Sequence, residues 1–409
     1  MAKILGALFW LMISLSPLHA SVLFGVDVLF EDGGELLRGK RVGLITNRTG
    51  QDRMRRSTLD LFTRPDLPFT CVALFGPEHG LQGSHHAGEK VTGGATIRGV
   101  PVYSLYGETR RPTSAMLEGI DLLVFDIQDV GLRCYTYAST LYYAMEEAAA
   151  RGIVVVVLDR PNPINGLVVD GPMLDPAKRS FLGYVDIPLC HGMTIGELAR
   201  YFNAEYEIGC ELQVVAMRGW KRAMSYQMTH LPCTPTSPQI PEADTPLYYA
   251  MTSVIGEVLK NVSIGVGYTL PFKVVGAPWM DGAKMAKTLN KQAFPGVHFE
   301  PYLFVPFFDR LKGVECSGVR LVVTDPILYR PVSTQFLILG TIKSLYPKEF
   351  REGLGQGCKY EEMLGKVVGS DEPLQLIREK RYVTWPLIAH HRERREVFLA
   401  KRAKYLLYP

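Results

Sequence analysis

Along the first half of the chain, short unbroken apolar runs end one after another in a polar cluster. Arg41 to Thr46 stops at Asn47, Phe69 to Phe75 at Gly76-Pro77-Glu78, Asp121 to Phe125 at Asp126, and Ile153 to Leu158 at Asp159-Arg160-Pro161. Apolar runs of strand length without polar alternation fit strands covered on both faces. Between them, Arg56 to Phe62, Thr113 to Glu118 and Tyr137 to Arg151 read as helices, the last rich in Ala and Glu and closed by Gly152. Strands alternating with helices predict an α/β fold around a parallel sheet. Ligands of such sheets bind outside the carboxyl ends of the strands, so the polar clusters are expected to converge on one crevice.

From about Ser263 the pattern changes. Phe299 to Phe308, Gly318 to Val323 and a helix-like Thr334 to Ser344 predict a smaller α+β domain, and the Arg-, Lys- and Glu-rich segment after Glu372 predicts a solvated amphipathic helix. The domains are expected at 21–258 and 259–409. Residues 1–20 carry Lys3, an apolar run from Ile4 to Leu15 and a Ser-Pro-Leu-His-Ala ending. This reads as a signal peptide cut after Ala20. No later stretch approaches the ~20 apolar residues of a spanning helix. The mature chain is therefore expected to be exported, periplasmic or extracellular, without a membrane span.

The net charge of +4 is spread without long basic runs, which gives no reason to expect a nucleic-acid partner. The seven cysteines show neither CxxC nor Cys/His metal spacing and read mainly as buried thiols. No GxGxxG opens a helix after the first strand, and Walker, GxSxG and HExxH motifs are missing from the sequence. No cofactor or metal is expected, and nothing in the sequence speaks to oligomeric state.

The candidate chemistry lies in the polar clusters. Gly76-Pro77-Glu78-His79-Gly80 aims a carboxylate and an imidazole from a glycine-flanked strand end. Asp126-Ile127-Gln128-Asp129 with Arg133 and Tyr137 brings carboxylates, an amide, a guanidinium and a phenol into one short span, enough to bind a sugar by hydrogen bonds and stacking. The alternative is that Asp126 and Asp129 cap the next helix and one of them pairs with Arg133. Asp159-Arg160-Pro161-Asn162-Pro163 reads equally as a ligand loop or as a turn around an internal ion pair.

The runs GPEHG at 76–80, AGEKV at 87–91, PVYSLYG at 101–107, FDIQDVG at 125–131, RCYTY at 133–137, LDRPNP at 158–163, DGPML at 170–174, HGMTIGELARYFN at 191–203 and VVGAPWMDG at 274–282 together resemble the exo-β-N-acetylmuramidase family of glycoside hydrolases. The resemblance extends from about Val22 to the C-terminus. It implies a Rossmann-like N-terminal domain without a nucleotide, a smaller C-terminal domain, and release of N-acetylmuramic acid from the non-reducing end of peptidoglycan fragments. It also implies Glu78 as general acid, with Asp126 or Asp129 as second carboxylate. Asn47, His79, Gln128, Arg133, Tyr137, Arg160, Asn162 and His191 are placed around the sugar. Arg133 or Arg160 would hold the lactyl carboxylate of muramic acid.

The chain departs from the family pattern where Val258 and Ile264 replace Glu, Val266 and Leu270 replace Arg, Cys190 replaces Arg, and Gln239 replaces Asn. Loss of opposite charges together fits either altered substrate contacts or removal of an internal ion pair. The competing functional class is a peptidoglycan-binding protein without turnover.

Overall fold

The computed structural model describes residues 22–82, 89 and 94–409. The expected signal peptide at 1–20 and all of the AGEKV run except Glu89 lie outside the described residues.

The first unit is a seven-stranded sheet of order β3-β4-β2-β1-β5-β6-β7. Its strands are β1 (Arg41–Thr46), β2 (Thr70–Gly76), β3 (Thr96–Ile97), β4 (Val100–Ser104), β5 (Leu122–Asp126), β6 (Val154–Leu158) and β7 (Leu212–Val215). All neighbours pair in parallel except β3 with β4. Setting β3 aside, the chain-order pattern is the doubly wound Rossmann arrangement, and its switch point falls between β1 and β5. Thr46 and Asp126 stand opposite each other there.

The unbroken apolar runs follow from burial on both faces. Leu122, Val124, Val156 and Leu158 pack with Phe24, Leu61 and Phe62 on one side, while Leu123, Phe125, Val155 and Val157 pack with Leu141, Met145 and Leu198 on the other. The first side is covered by α1 (Gly25–Leu29) and α2 (Thr58–Phe62), the second by α3 (Tyr137–Ala149) and α4 (Ile195–Glu205). The helix expected over 113–118 is one 3-10 turn, Ala115–Leu117, because Gly119 enters the left-handed region at φ 69° and ends it at once.

The second unit is a three-stranded antiparallel sheet, β8 (Val274–Ala277), β10 (Cys316–Val323) and β9 (Val297–Phe304) in spatial order. It packs with α5 (Thr245–Val258), α6 (Gly282–Asn290) and α7 (Pro331–Leu345). By its packing on α7, α5 joins this unit, although it precedes residue 259. Five helices follow: α8 (Pro347–Gly353), α9 (Cys358–Val368), α10 (Glu372–Glu379), α11 (Thr384–Ala389) and α12 (Arg392–Arg402). One apolar core crosses the junction, with Val130, Leu132 and Leu189 meeting Met251, Ile255 and Ile338. It pins the loop after β5 against the second unit.

The chain end returns to the first unit. α12 is largely exposed apart from Phe398 and Arg402, but those two are buried, and Tyr408 reaches Asp159 at the end of β6. No helix of the described residues is long and apolar enough to cross a membrane.

Candidate active site

The loop after β2 turns tightly, with the Gly80 amide donating to the Pro77 carbonyl at 2.9 Å and with His79 and Gly80 at φ 69° and 74°. Left-handed backbone at two consecutive residues lets the chain reverse within one turn of the strand end. Glu78 and His79 are both buried. Thr136 Oγ1 donates to Glu78 Oε2 at 2.5 Å, and burial together with the nearby Glu78 carboxylate pushes the Tyr106 hydroxyl up to about 12.

The loop after β5 supplies the opposite wall. Gly131, at φ 84°, lies so close to Asn162 that a Cβ there would come within 2.4 Å of Asn162 Oδ1. Asp129 Oδ2 accepts from the Gly131 amide at 2.7 Å, and its Oδ1 has no hydrogen-bond partner among the described residues. Burial pushes this carboxyl up to about 7. His191 Nδ1 accepts from the Met193 amide at 3.2 Å, which leaves the ring proton on Nε2, 3.9 Å from Asp129 Oδ2. Burial lowers the imidazole to about 3, so His191 is neutral across the physiological range.

Other predicted residues build the floor. Asn47 Nδ2 donates to Tyr137 Oη at 2.9 Å, and that hydroxyl donates to the Thr236 carbonyl at 3.0 Å. Gln128 Nε2 donates to the carbonyls of Asp129 and Pro161, while its Oε1 is buried without a partner among the described residues. Gln128, Asp129 and Thr236 line a small pocket. Burial raises the pKa values of the Tyr135 and Tyr137 hydroxyls, and the Glu78 and Asp129 carboxyls add to the rise.

Four expected site residues serve the scaffold instead. Asp126 is fully buried, with Oδ1 accepting from Arg160 Nε at 2.5 Å and Oδ2 from Arg160 Nη2 at 2.9 Å and from Thr58. Both oxygens are engaged, which commits the carboxylate to a buried ion pair with Arg160. Arg160 is held by that pair, by the Gln51 carbonyl and by the Phe24 ring, 4.4 Å from its guanidinium. Arg133 donates to the carbonyls of Pro172, Ile187, Val367 and Val368, tying the loop after β5 to α9. Asn162 holds its own turn through the Ile164 amide and the Met193 carbonyl. Neither guanidinium is available to a lactyl carboxylate. The helix-capping alternative is not what is seen either, since α3 has no side-chain cap and neither Asp126 nor Asp129 pairs with Arg133.

Tyr106 and Thr136 were not singled out by sequence reasoning, although both lie inside the PVYSLYG and RCYTY runs. A hydroxyl in a polar run carries no sign of which distant carboxylate it meets. A larger cavity opens at the junction of the two units, lined by Cys134, Leu182, Tyr249, Ile264, Val266 and Arg310. Two of the apolar departures from the family pattern therefore line a cavity, while Val258 is core. Among the described residues no group of three or more His, Cys, Asp or Glu could hold a metal ion.

Fold and site together define a two-domain α/β protein with a carboxyl-bearing crevice at the switch point of a Rossmann-like sheet. Residues 42–244 match the family described as exo-β-N-acetylmuramidase NamZ, N-terminal, and residues 247–408 the corresponding C-terminal family. The chain belongs to the NamZ exo-β-N-acetylmuramidase family. It is 43% identical over 388 residues to the peptidoglycan β-N-acetylmuramidase NamZ of Bacillus subtilis strain 168, covering 94% of this chain and 91% of that protein. Two crystal structures of DUF1343 family proteins from Bacteroides fragilis share the fold. One has a TM-score of 0.87 at 38% identity, the other 0.74 at 28%, and each alignment covers 95% of this chain and 99% of the other.

Proposed function

We propose that this chain is an exo-acting glycoside hydrolase that releases N-acetylmuramic acid from the non-reducing end of peptidoglycan fragments. Glu78 is its general acid and Asp129 its second carboxyl. The observation that carries this reading is that Thr136 joins the buried Glu78 carboxylate to the loop bearing Asp129, whose Oδ1 has no partner among the described residues, while both Asp126 oxygens are engaged by Arg160 and Thr58. Glycoside hydrolysis needs one carboxyl to protonate the leaving oxygen and a second to activate water or stabilise an oxocarbenium-like state. A carboxyl near pKa 7 suits proton transfer at neutral pH better than nucleophilic attack, so Asp129 takes the proton from water. The NamZ relative, named for β-N-acetylmuramidase action on peptidoglycan, supports the substrate class.

A binding protein without turnover is the competing reading, favoured by Ile264 and Val266 in the junction cavity. The test is hydrolysis of a chromogenic β-N-acetylmuramide by wild type and by Glu78→Gln. Turnover by wild type that disappears in the variant supports the assignment. Turnover surviving the substitution would remove Glu78 from the chemistry, and none from a folded wild type would favour the binding protein. The substrate class also fits export after cleavage behind Ala20, which the apolar run of residues 4–15 supports. N-terminal sequencing of the mature protein checks this, and a retained Met1 would contradict it.

A further inference from the structure

Muramic acid differs from glucosamine by a lactyl ether whose carboxylate is ionised at neutral pH, so an enzyme selective for it gains from a cation near the cleaved bond. Arg133 and Arg160 are buried and committed to the scaffold. The loop after β4 offers another pair, Arg110 and Arg111, with opposite circumstances. Arg111 is ion-paired with Glu146 at 2.6 Å and Glu147 at 3.5 Å. Arg110 is exposed and has no carboxylate partner among the described residues. Its guanidinium lies 4.6 Å from the Phe181 ring and 5.2 Å from the Tyr106 ring.

Tyr106 ties Arg110 to the chemistry, because Ser104 pairs with Gly76 and the Leu105 amide donates to the Gly76 carbonyl at 2.8 Å, which sets Tyr106 beside the loop that carries Glu78. Phe181 precedes Leu182, which lines the junction cavity. A cation held on two aromatic faces keeps most of its fork for an incoming anion and loses little freedom when it binds one. Resting on the muramidase reading above, we propose that Arg110 is the specificity-determining residue that receives the lactyl carboxylate, positioned by Tyr106 and Phe181 beside Glu78.

The experiment compares a chromogenic β-N-acetylmuramide with its lactyl amide on wild type, Arg110→Gln and Arg111→Gln. A charge-assisted pair predicts that wild type prefers the carboxylate by roughly 10- to 100-fold in kcat/KM, mostly through KM. Arg110→Gln is expected to lose that preference and Arg111→Gln to keep it. A preference that persists in Arg110→Gln while wild type is active overturns the proposal and leaves the muramidase reading standing. Where wild type shows no turnover, equilibrium binding of N-acetylmuramic acid decides, with roughly 10- to 100-fold weaker binding to Arg110→Gln expected and equal affinity contradicting it. A wild type that neither turns over nor binds the sugar sinks both.

Discussion

Two polar clusters at the carboxyl edge of one sheet meet different fates. Near the β1–β5 switch point, Thr136 joins Glu78 to the loop after β5, and Asp129 Oδ1 and Gln128 Oε1 in that loop are without partners among the described residues. At the end of β6, Asp159 accepts from Thr194 Oγ1 at 2.7 Å, the Gly196 amide at 2.8 Å, and the Tyr408 hydroxyl at 2.5 Å. Around it, the Leu407 amide donates to Glu197, Arg222 pairs with Glu197, and the Pro409 carbonyl accepts from the Arg222 amide. The chain fills the β6 end of the sheet edge with its own C-terminal residues and leaves polar atoms of the loop after β5 without such partners. A polar cluster at a strand end thus marks capacity for binding, and the partner supplied by topology decides whether that capacity is used internally.

That comparison is broken most severely at Glu78. Glu78→Gln is expected to lower turnover by roughly 100- to 10,000-fold while the protein stays folded, which steady-state rates and a thermal melt read together. Asp126→Asn is expected to act in the opposite way, destabilising the fold by about 3–5 kcal/mol because it leaves the Arg160 charge buried and unpaired. Denaturant unfolding measures this; an unchanged midpoint with lost turnover would return Asp126 to the catalytic set.

Asp129 sharpens the contrast through pH. Its carboxyl is raised from 3.8 to about 7, so between those values the folded state keeps a proton that the unfolded state has lost. Stability from this group is therefore full below about pH 4, declines as pH rises towards 7 and is flat above, by up to about 4 kcal/mol. Asp129→Asn is expected to flatten that decline in a pH series of unfolding curves; a slope equal to that of wild type would contradict the assignment. The smallest effect belongs to Tyr408→Phe, which removes the hydroxyl between Asp159 and the Met217 amide and is expected to cost about 1–3 kcal/mol of stability with kcat/KM kept. A large fall in kcat/KM of the folded variant would place the β6 end in the active site.

Much of this was legible in the sequence for a physical reason. An apolar run buried on both faces leaves no polar position, so β1, β2, β5 and β6 announce themselves, and the polar residue that ends each run marks the carboxyl edge. Glu78, Asp129 and the Asn47–Tyr137 contact lie where that logic puts them. The role of each arginine did not follow from its type. Arg160 finds Asp126 across 34 residues and Arg133 finds Val368 across 235, distances in sequence over which only the folded topology selects a partner. The same holds for Tyr408 and Asp159, 249 residues apart. Trp220 and Trp279, each able to stack on a sugar by type, pack instead on Tyr408 and Tyr346, at ring distances of 5.0 and 5.3 Å.

The most direct measurement is mass analysis of the products from a disaccharide with N-acetylmuramic acid at its non-reducing end, incubated with wild type and Glu78→Gln. The account predicts free N-acetylmuramic acid from wild type and none from the variant, with the variant still binding the disaccharide. Release of the sugar by both proteins, or cleavage only within longer glycans, would contradict it.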